Sequence, residues 1–212
     1  MTVWSRLCSL VIGYFMGTIL AAEIVARRFA GKPAEEIGSG NPGMANILAH
    51  VGKKAGFLVL AGDILKTAAA MGAAWLLFRE RTGMAVWYAG FGAVLGHNFP
   101  VWKKGRGGKG VTATCTWLIL SMRLPGILCC LSGAAAVLIW GYLPLGAAVL
   151  ACAAVPAAFL AAGAEAGILA AAGALIMISR HIRGLRRIAQ GTEKRVFRKH
   201  RENSPGPRSS EK

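Results

Sequence analysis

Apolar and polar stretches alternate along the chain on a coarse scale. Apolar runs occupy roughly 4–22, 55–78, 84–101, 111–122, 125–141, 145–162 and 164–179. A perpendicular crossing of the hydrocarbon core needs about 20 apolar residues. The pattern therefore predicts an all-α polytopic membrane protein of about seven transmembrane helices. Several runs are short, which predicts broken helices whose ends line a polar cavity. The stretch 125–179 is nearly continuous, with breaks at Pro144 and around Gly163 to Glu165, so five or six spans also fit. The expected organisation is a membrane domain over 1–195 and a polar, disordered cytoplasmic tail over 196–212.

Composition sharpens this picture. The 212 residues are 55% hydrophobic with mean hydropathy +0.50, too apolar for an ordinary soluble domain. Gly and Ala inside the runs permit close helix approach in lipid. The five cysteines all fall in apolar runs and form no C-x-x-C pair, so neither a metal site nor a disulfide framework is expected. The first run resembles a signal peptide, with Arg6 before an apolar segment, but further spans follow and it is read as a retained span.

Charge fixes the expected orientation. The net charge is +16, and with the N-terminus outside, twenty of the 25 cations fall in the inner segments 23–54, 102–110 and 180–212. Only Arg6, Arg79, Arg81 and Arg123 fall outside, and Lys66 lies within a run. This asymmetry predicts an outside N-terminus, a cytoplasmic C-terminus and cytoplasmic glycine-rich loops. Because the charge sits in short loops and the tail, lipid headgroups and phosphorylated substrates are the expected partners, and nucleic acid is not.

Three inner segments carry candidate chemistry. The central one, Gly96 to Thr114, reads GHNFPVWKKGRGGKGVTAT. Gly105, Gly107, Gly108 and Gly110 alternate with Lys103, Lys104, Arg106 and Lys109, just before a new helix. Turned glycine N–H groups beside a helix start are expected to form an anion nest. The spacing Gly105-x-Gly107-x-x-Gly110 imitates a dinucleotide fingerprint, but no strand precedes it and no acid follows until Glu165. The Walker pattern fails because Gly110 follows Lys109. A basic loop that merely obeys membrane topology is the plainer alternative. His97 is read as a phosphate ligand, a base or a structural hydrogen-bonding group.

The first segment, Gly38-Ser-Gly-Asn-Pro-Gly43 with Asn46, predicts tight turns that offer Ser39, Asn41 and Asn46 to a ligand or to a helix cap. The third, Ser179 to Glu193, places Ile182, Leu185, Ile188 and Ala189 at helical spacing among cations, a surface amphipathic helix. Glu193 is a candidate ion-pair partner there. Asp63 and Lys66 lie on one helical face inside a run and are expected to pair. Glu165 is expected at an outer loop, in solvent.

These segments resemble the bacterial acyl-phosphate:glycerol-3-phosphate acyltransferase family, the PlsY type. Ser39 to Gly43 with Asn46 resembles its SGNPGATN motif. Gly96 to Val101, with Gly107 to Val111, Ala113 and Thr114, is the closest match to its second motif. His181, Arg187, Gly191 and Glu193 resemble HxxNxxRxxxGxE, and Asp63-x-x-Lys66 a DxxK pair. The resemblance implies a seven-span inner-membrane enzyme of phospholipid biosynthesis that needs no cofactor. It would move an acyl group from acyl phosphate to the 1-position of glycerol 3-phosphate, giving lysophosphatidic acid and phosphate. It implies catalytic roles for Lys109 and His181. The implied substrate-binding residues are Ser39, Gly40, Asn41, Gly43, Asn46, His97, Arg106, Gly107, Gly108, Gly110, Arg187 and Glu193. Membrane lipid is a further partner, and contact with enzymes that supply acyl phosphate is possible on this reading. The chain departs from the family pattern at Ala45, Ala49 and Gly184, where Thr, Arg and Asn are usual. An inactive or altered-acceptor relative that binds lipid or a partner is therefore the alternative.

Overall fold

The computed structural model describes residues 2–79 and 83–197, and the predicted tail from 198 and the outer cation Arg81 lie outside them. Eight α-helices occur among the described residues: α1 Val3–Gly17, α2 Ala21–Ala30, α3 Met44–His50, α4 Lys53–Phe78, α5 Met84–Asn98, α6 Val111–Met122, α7 Leu124–Trp140 and α8 Leu143–Ala189; all but α3 overlap an apolar run. No strand occurs among the described residues. Three stretches among them are long and apolar enough to cross a membrane, namely Val3–Ala30, Lys53–Phe78 and Leu143–Ala189. Helices α6 and α7 are apolar but shorter.

Two runs depart from uninterrupted helices. The first breaks at 18–20, where Leu20 is extended (φ −86°, ψ 97°), before α2 begins at Ala21. Thr18 there donates to the Phe15 carbonyl at 2.6 Å instead of continuing the apolar surface. The third run ends at Asn98, not at 101, because Pro100 has no N–H and biases Phe99 away from the helical region.

Helix α8 is two arms. Gly163 is non-helical (φ 84°, ψ −174°). A Cβ on Gly167 would lie 2.4 Å from the Phe159 ring, and one on Gly184 would lie 2.5 Å from Pro144 Cγ. In a straight helix residues eight apart are separated by about 12 Å. The chain therefore doubles back at Gly163, and the second arm returns to the end where the first began.

Helix α1 packs against α5 backbone to backbone. A Cβ at Gly13 would fall 2.0 Å from the Ala89 carbonyl oxygen, and one at Gly96 would fall 2.0 Å from that of Tyr14. Gly13-x-x-x-Gly17 and Gly92-x-x-x-Gly96 thus make a small-residue seam, the close approach expected from the composition. The core lies beside it, where Trp87 and Trp117 meet edge to face at 5.5 Å. At the Arg6 end of α1, Glu165 is about a third exposed and is also held by protein groups. Arg6 Nη2 donates to Glu165 Oε2 at 2.8 Å and Tyr88 donates to Oε1 at 3.0 Å.

Candidate functional site: a cationic cavity between two glycine turns

At the opposite end, the central loop leaves α5 and turns back onto it. Gly107 N–H donates to the Asn98 carbonyl at 3.1 Å and Gly108 N–H to that of His97 at 3.0 Å. Gly105 and Arg106 N–H groups donate to the Pro100 and Lys103 carbonyls, each at 3.0 Å. The open nest expected from the sequence is therefore not present at 105–108. Those amides hold the loop itself, because a loop this close to α5 must satisfy its backbone groups internally. A Cβ on Gly108 would fall 2.1 Å from His97 Nε2 and 2.9 Å from the Pro42 carbonyl oxygen, so glycine is required where the two turns meet.

The first turn is closed by Asn46. Its Nδ2 donates to the Ile37 carbonyl at 2.8 Å, and its Oδ1 accepts from Ser39 N–H at 2.9 Å. Asn46 is buried, so the amide shapes the turn and leaves Ser39, Gly40 and Asn41 to face outward. Ala45 and Ala49 sit one helical turn apart on the exposed side of α3.

The second arm of α8 supplies the other wall. Arg180 Nη2 donates to the carbonyls of Gly107 at 2.8 Å and Gly108 at 3.1 Å. Its guanidinium also lies 5.5 Å over the Phe99 ring. His181 is buried, and its Nδ1 lies 2.9 Å from the Met177 carbonyl. A carbonyl only accepts, so Nδ1 carries the proton and Nε2 keeps a lone pair. Arg187 Nε is ion-paired with Glu193, which folds back as the chain leaves the helix.

These elements enclose a cavity of about 850 Å³. Its wall includes Ser39, Gly40, Asn41, Gly107 and six cations: Lys103, Arg106, Lys109, Arg180, Arg183 and Arg187. Two carboxylates, Glu23 and Glu35, also line it. Both are engaged by Lys103, whose Nζ is 3.7 Å from Glu23 and 3.4 Å from Glu35. Among the described residues, the other five wall cations meet one carboxylate, Glu193 through Arg187, so the cavity is strongly electropositive. Burial pushes the Lys109 ammonium below its ordinary value. Glu193 opposes this shift, while Arg187 and Arg180 add to it. Such a cavity suits a polyanionic ligand with phosphate groups.

Behind the central loop lies a buried polar cluster. Lys66 Nζ is 2.8 Å from Asp63 Oδ1, 2.7 Å from the Ile19 carbonyl and 2.8 Å from His97 Nδ1. The Asp63–Lys66 pair expected from their spacing is thus formed, and His97 joins it.

Of the predicted site residues, the cavity wall gathers Ser39, Gly40, Asn41, Arg106, Gly107, Lys109 and Arg187. Gly43, Asn46, His97, Gly108, Gly110, His181 and Glu193 do not line it: Asn46 and the three glycines belong to the turns, His97 and His181 are buried, and Glu193 pairs with Arg187. Sequence reasoning left Arg180, Glu23 and Glu35 out of the site, and named Lys103 only as one of the cations around the central loop. Arg180 was detectable from its place beside His181. The two carboxylates lie far from the central loop in sequence and carried no such signal.

The fold and site define an all-helical membrane-type protein that presents a cationic, glycine-walled cavity to an anionic ligand. The comparisons then give the family. A model described as glycerol-3-phosphate acyltransferase matches residues 7–191, and the chain belongs to that family. It is 33% identical to a glycerol-3-phosphate acyltransferase of Paramagnetospirillum magneticum, over 92% of this chain and 95% of that protein. With that of Rhizobium meliloti the identity is 38%, over 92% and 94%. With glycerol-3-phosphate acyltransferase 1 of Lactobacillus johnsonii it is 44%, over 59% of this chain and 60% of that protein's length. The fold is similar to the crystal structure of PlsY (YgiH), an integral membrane glycerol 3-phosphate acyltransferase, in its glycerol 3-phosphate form. There the TM-score is 0.80 at 27% identity, covering 90% of this chain and 95% of that one. The lysophosphatidic acid form of the same protein gives a TM-score of 0.78.

Proposed function

We propose that this protein transfers a fatty acyl group from acyl phosphate to the 1-position of glycerol 3-phosphate. The observation that carries the reading is the single cavity walled by both glycine turns and by α8, with Lys109 and Arg180 between them. Two phosphorylated substrates are held side by side. The glycerol hydroxyl oxygen attacks the acyl carbonyl carbon, a new ester C–O bond forms, and the acyl carbon–phosphate oxygen bond breaks. Phosphate departs with the electron pair, and a phosphate oxygen takes the hydroxyl proton. Lys109 stabilises charge on the acyl phosphate and on the tetrahedral carbon's oxygen. Ser39 and Arg187 hold glycerol 3-phosphate, and His181, buried behind the wall, anchors the arm of α8 that carries Arg180 and Arg187. Because acyl phosphate is already activated, positioning and charge carry the rate.

The loops face the cytoplasm of a bacterial inner membrane on this reading, with seven spans. The cation asymmetry supports that orientation. Purified protein in detergent is expected to release phosphate from palmitoyl phosphate only when glycerol 3-phosphate is present. A second reading, a non-catalytic relative that binds anionic lipid, is favoured by Ala45, Ala49 and Gly184, where the family's polar groups are missing. Binding of both substrates without phosphate release would establish it.

A further inference from the structure

Lys66 lies within α4, an apolar helix long enough to span a membrane, and is 7% exposed. An ionisable group there is expensive unless its charge is paired and its donors are engaged. An ammonium has three donors and no acceptor. Lys66 Nζ donates to the Ile19 carbonyl, freed by the break between α1 and α2, at 2.7 Å and to His97 Nδ1 at 2.8 Å, and its charge is paired with Asp63 Oδ1 at 2.8 Å. With Lys66 donating to it, His97 Nδ1 carries no proton, so the neutral ring holds its proton on Nε2. That edge abuts Gly108, where a Cβ would lie 2.1 Å from Nε2. The backbone of His97 and Asn98 also accepts from Gly108 and Gly107, and Lys109 follows directly.

We propose that Lys66 is a positioning residue for the phosphate-binding loop. It fixes the tautomer and plane of His97, and His97 in turn fixes the height of the Gly107–Lys109 turn against Arg180. Lys66 itself does not touch the substrate. This rests on the reading of the cavity as a phosphate site.

The test needs no turnover. Full-length protein labelled with [15N]histidine is measured in detergent, with His97 assigned by difference from His97→Gln. Wild type is expected to show His97 protonated at Nε2 only. Lys66→Met is expected to move that proton to Nδ1, which faces Asp63 Oδ1 3.5 Å away. It should also weaken binding of glycerol 3-phosphate, and of inorganic phosphate, by about tenfold. A proton on Nδ1 in wild type overturns the proposal. So does an affinity in Lys66→Met within about twofold of wild type. If Lys66→Met does not survive extraction, Asp63→Asn/Lys66→Met removes both charges and must show the same loss of affinity, and wild-type affinity in it overturns the proposal. Wild type that binds but releases no phosphate counts against the transferase reading alone.

Discussion

Arg180 holds Gly107 from across the cavity, donating from Nη2 to its carbonyl oxygen at 2.8 Å. The same nitrogen reaches Gly108 at 3.1 Å, so a cation on α8 ties down the carbonyl side of the glycine turn whose amides are tied to α5. A carbonyl left unpaired beside substrate phosphates would repel them. Arg180→Ala is therefore expected to raise KM for both phosphorylated substrates by about 10- to 100-fold, the loss of charge-assisted bonds. Arg180→Lys should recover only part of this, because an ammonium lacks the planar guanidinium that stacks on Phe99. Steady-state phosphate release with each substrate varied checks it.

Lys109 is the wall cation that directly follows the glycine pair. Lys109→Ala should lower kcat/KM by about 2–4 kcal/mol of transition-state stabilisation, the loss of one preorganised donor. That is roughly 30- to 1,000-fold in rate. Arg28→Ala, an exposed cation outside the cavity, is the control and should match wild type. Equal activity in the two variants would move the phosphate cradle to the first turn.

The pH dependence follows from the same residue. Burial holds the Lys109 pKa below 10.5 in the free protein. Charged Lys109 is the binding form, so kcat/KM should fall as pH rises through that lowered value. A bound phosphate favours the ammonium, so the limb in kcat should lie at higher pH than the limb in kcat/KM. Lys109→Arg should remove the limb, since a guanidinium stays charged. Stability has the opposite slope: the depressed pKa destabilises the fold at low pH, and that cost disappears as pH rises from the folded value toward the unfolded one.

The helices were legible because hydropathy alone decides burial in lipid, and each apolar run lies mainly in a helix. The break at 18–20 was not legible. It depends on Thr18 and on the buried Lys66 that uses the Ile19 carbonyl, a contact 47 residues away. Ser39 and Lys109, both on the wall, were candidates from their glycine-rich loops, and Arg187 was one only through the family resemblance. Which of the motif residues face the cavity was not legible, since Asn46 and Glu193 turn toward their own backbone and an Arg instead. The nest prediction does not hold at 105–108 for a related reason. Glycine spacing gives the capacity for turned amides, but the α5 carbonyls at His97 and Asn98 engage those of Gly108 and Gly107, and the loop's own carbonyls engage those of Gly105 and Arg106.

Gly184, one of three positions where this chain departs from the family pattern it resembles, packs against Pro144. Gly184 lines the cavity, and the family's Asn at this position would need a Cβ 2.5 Å from Pro144 Cγ and 3.0 Å from its Cβ. Pro144 lies in the first turn of α8, and its ring is stiff, so the clash must be relieved by separating the two arms. Gly184→Asn alone is expected to destabilise the protein by about 1–3 kcal/mol, the usual cost of overpacking. Pro144→Ser should relieve this, because its side chain is smaller and free to rotate. The double variant should therefore be more stable than Gly184→Asn, with a coupling energy of about 0.5–3 kcal/mol between the sites. Restoring a polar amide on the cavity wall should also lower KM for glycerol 3-phosphate and leave the dependence on palmitoyl phosphate unchanged. Thermal unfolding in detergent reads the first effect, and phosphate release with each substrate varied reads the second. Additive stabilities in the double variant would show that the Pro144 ring does not set the space at Gly184.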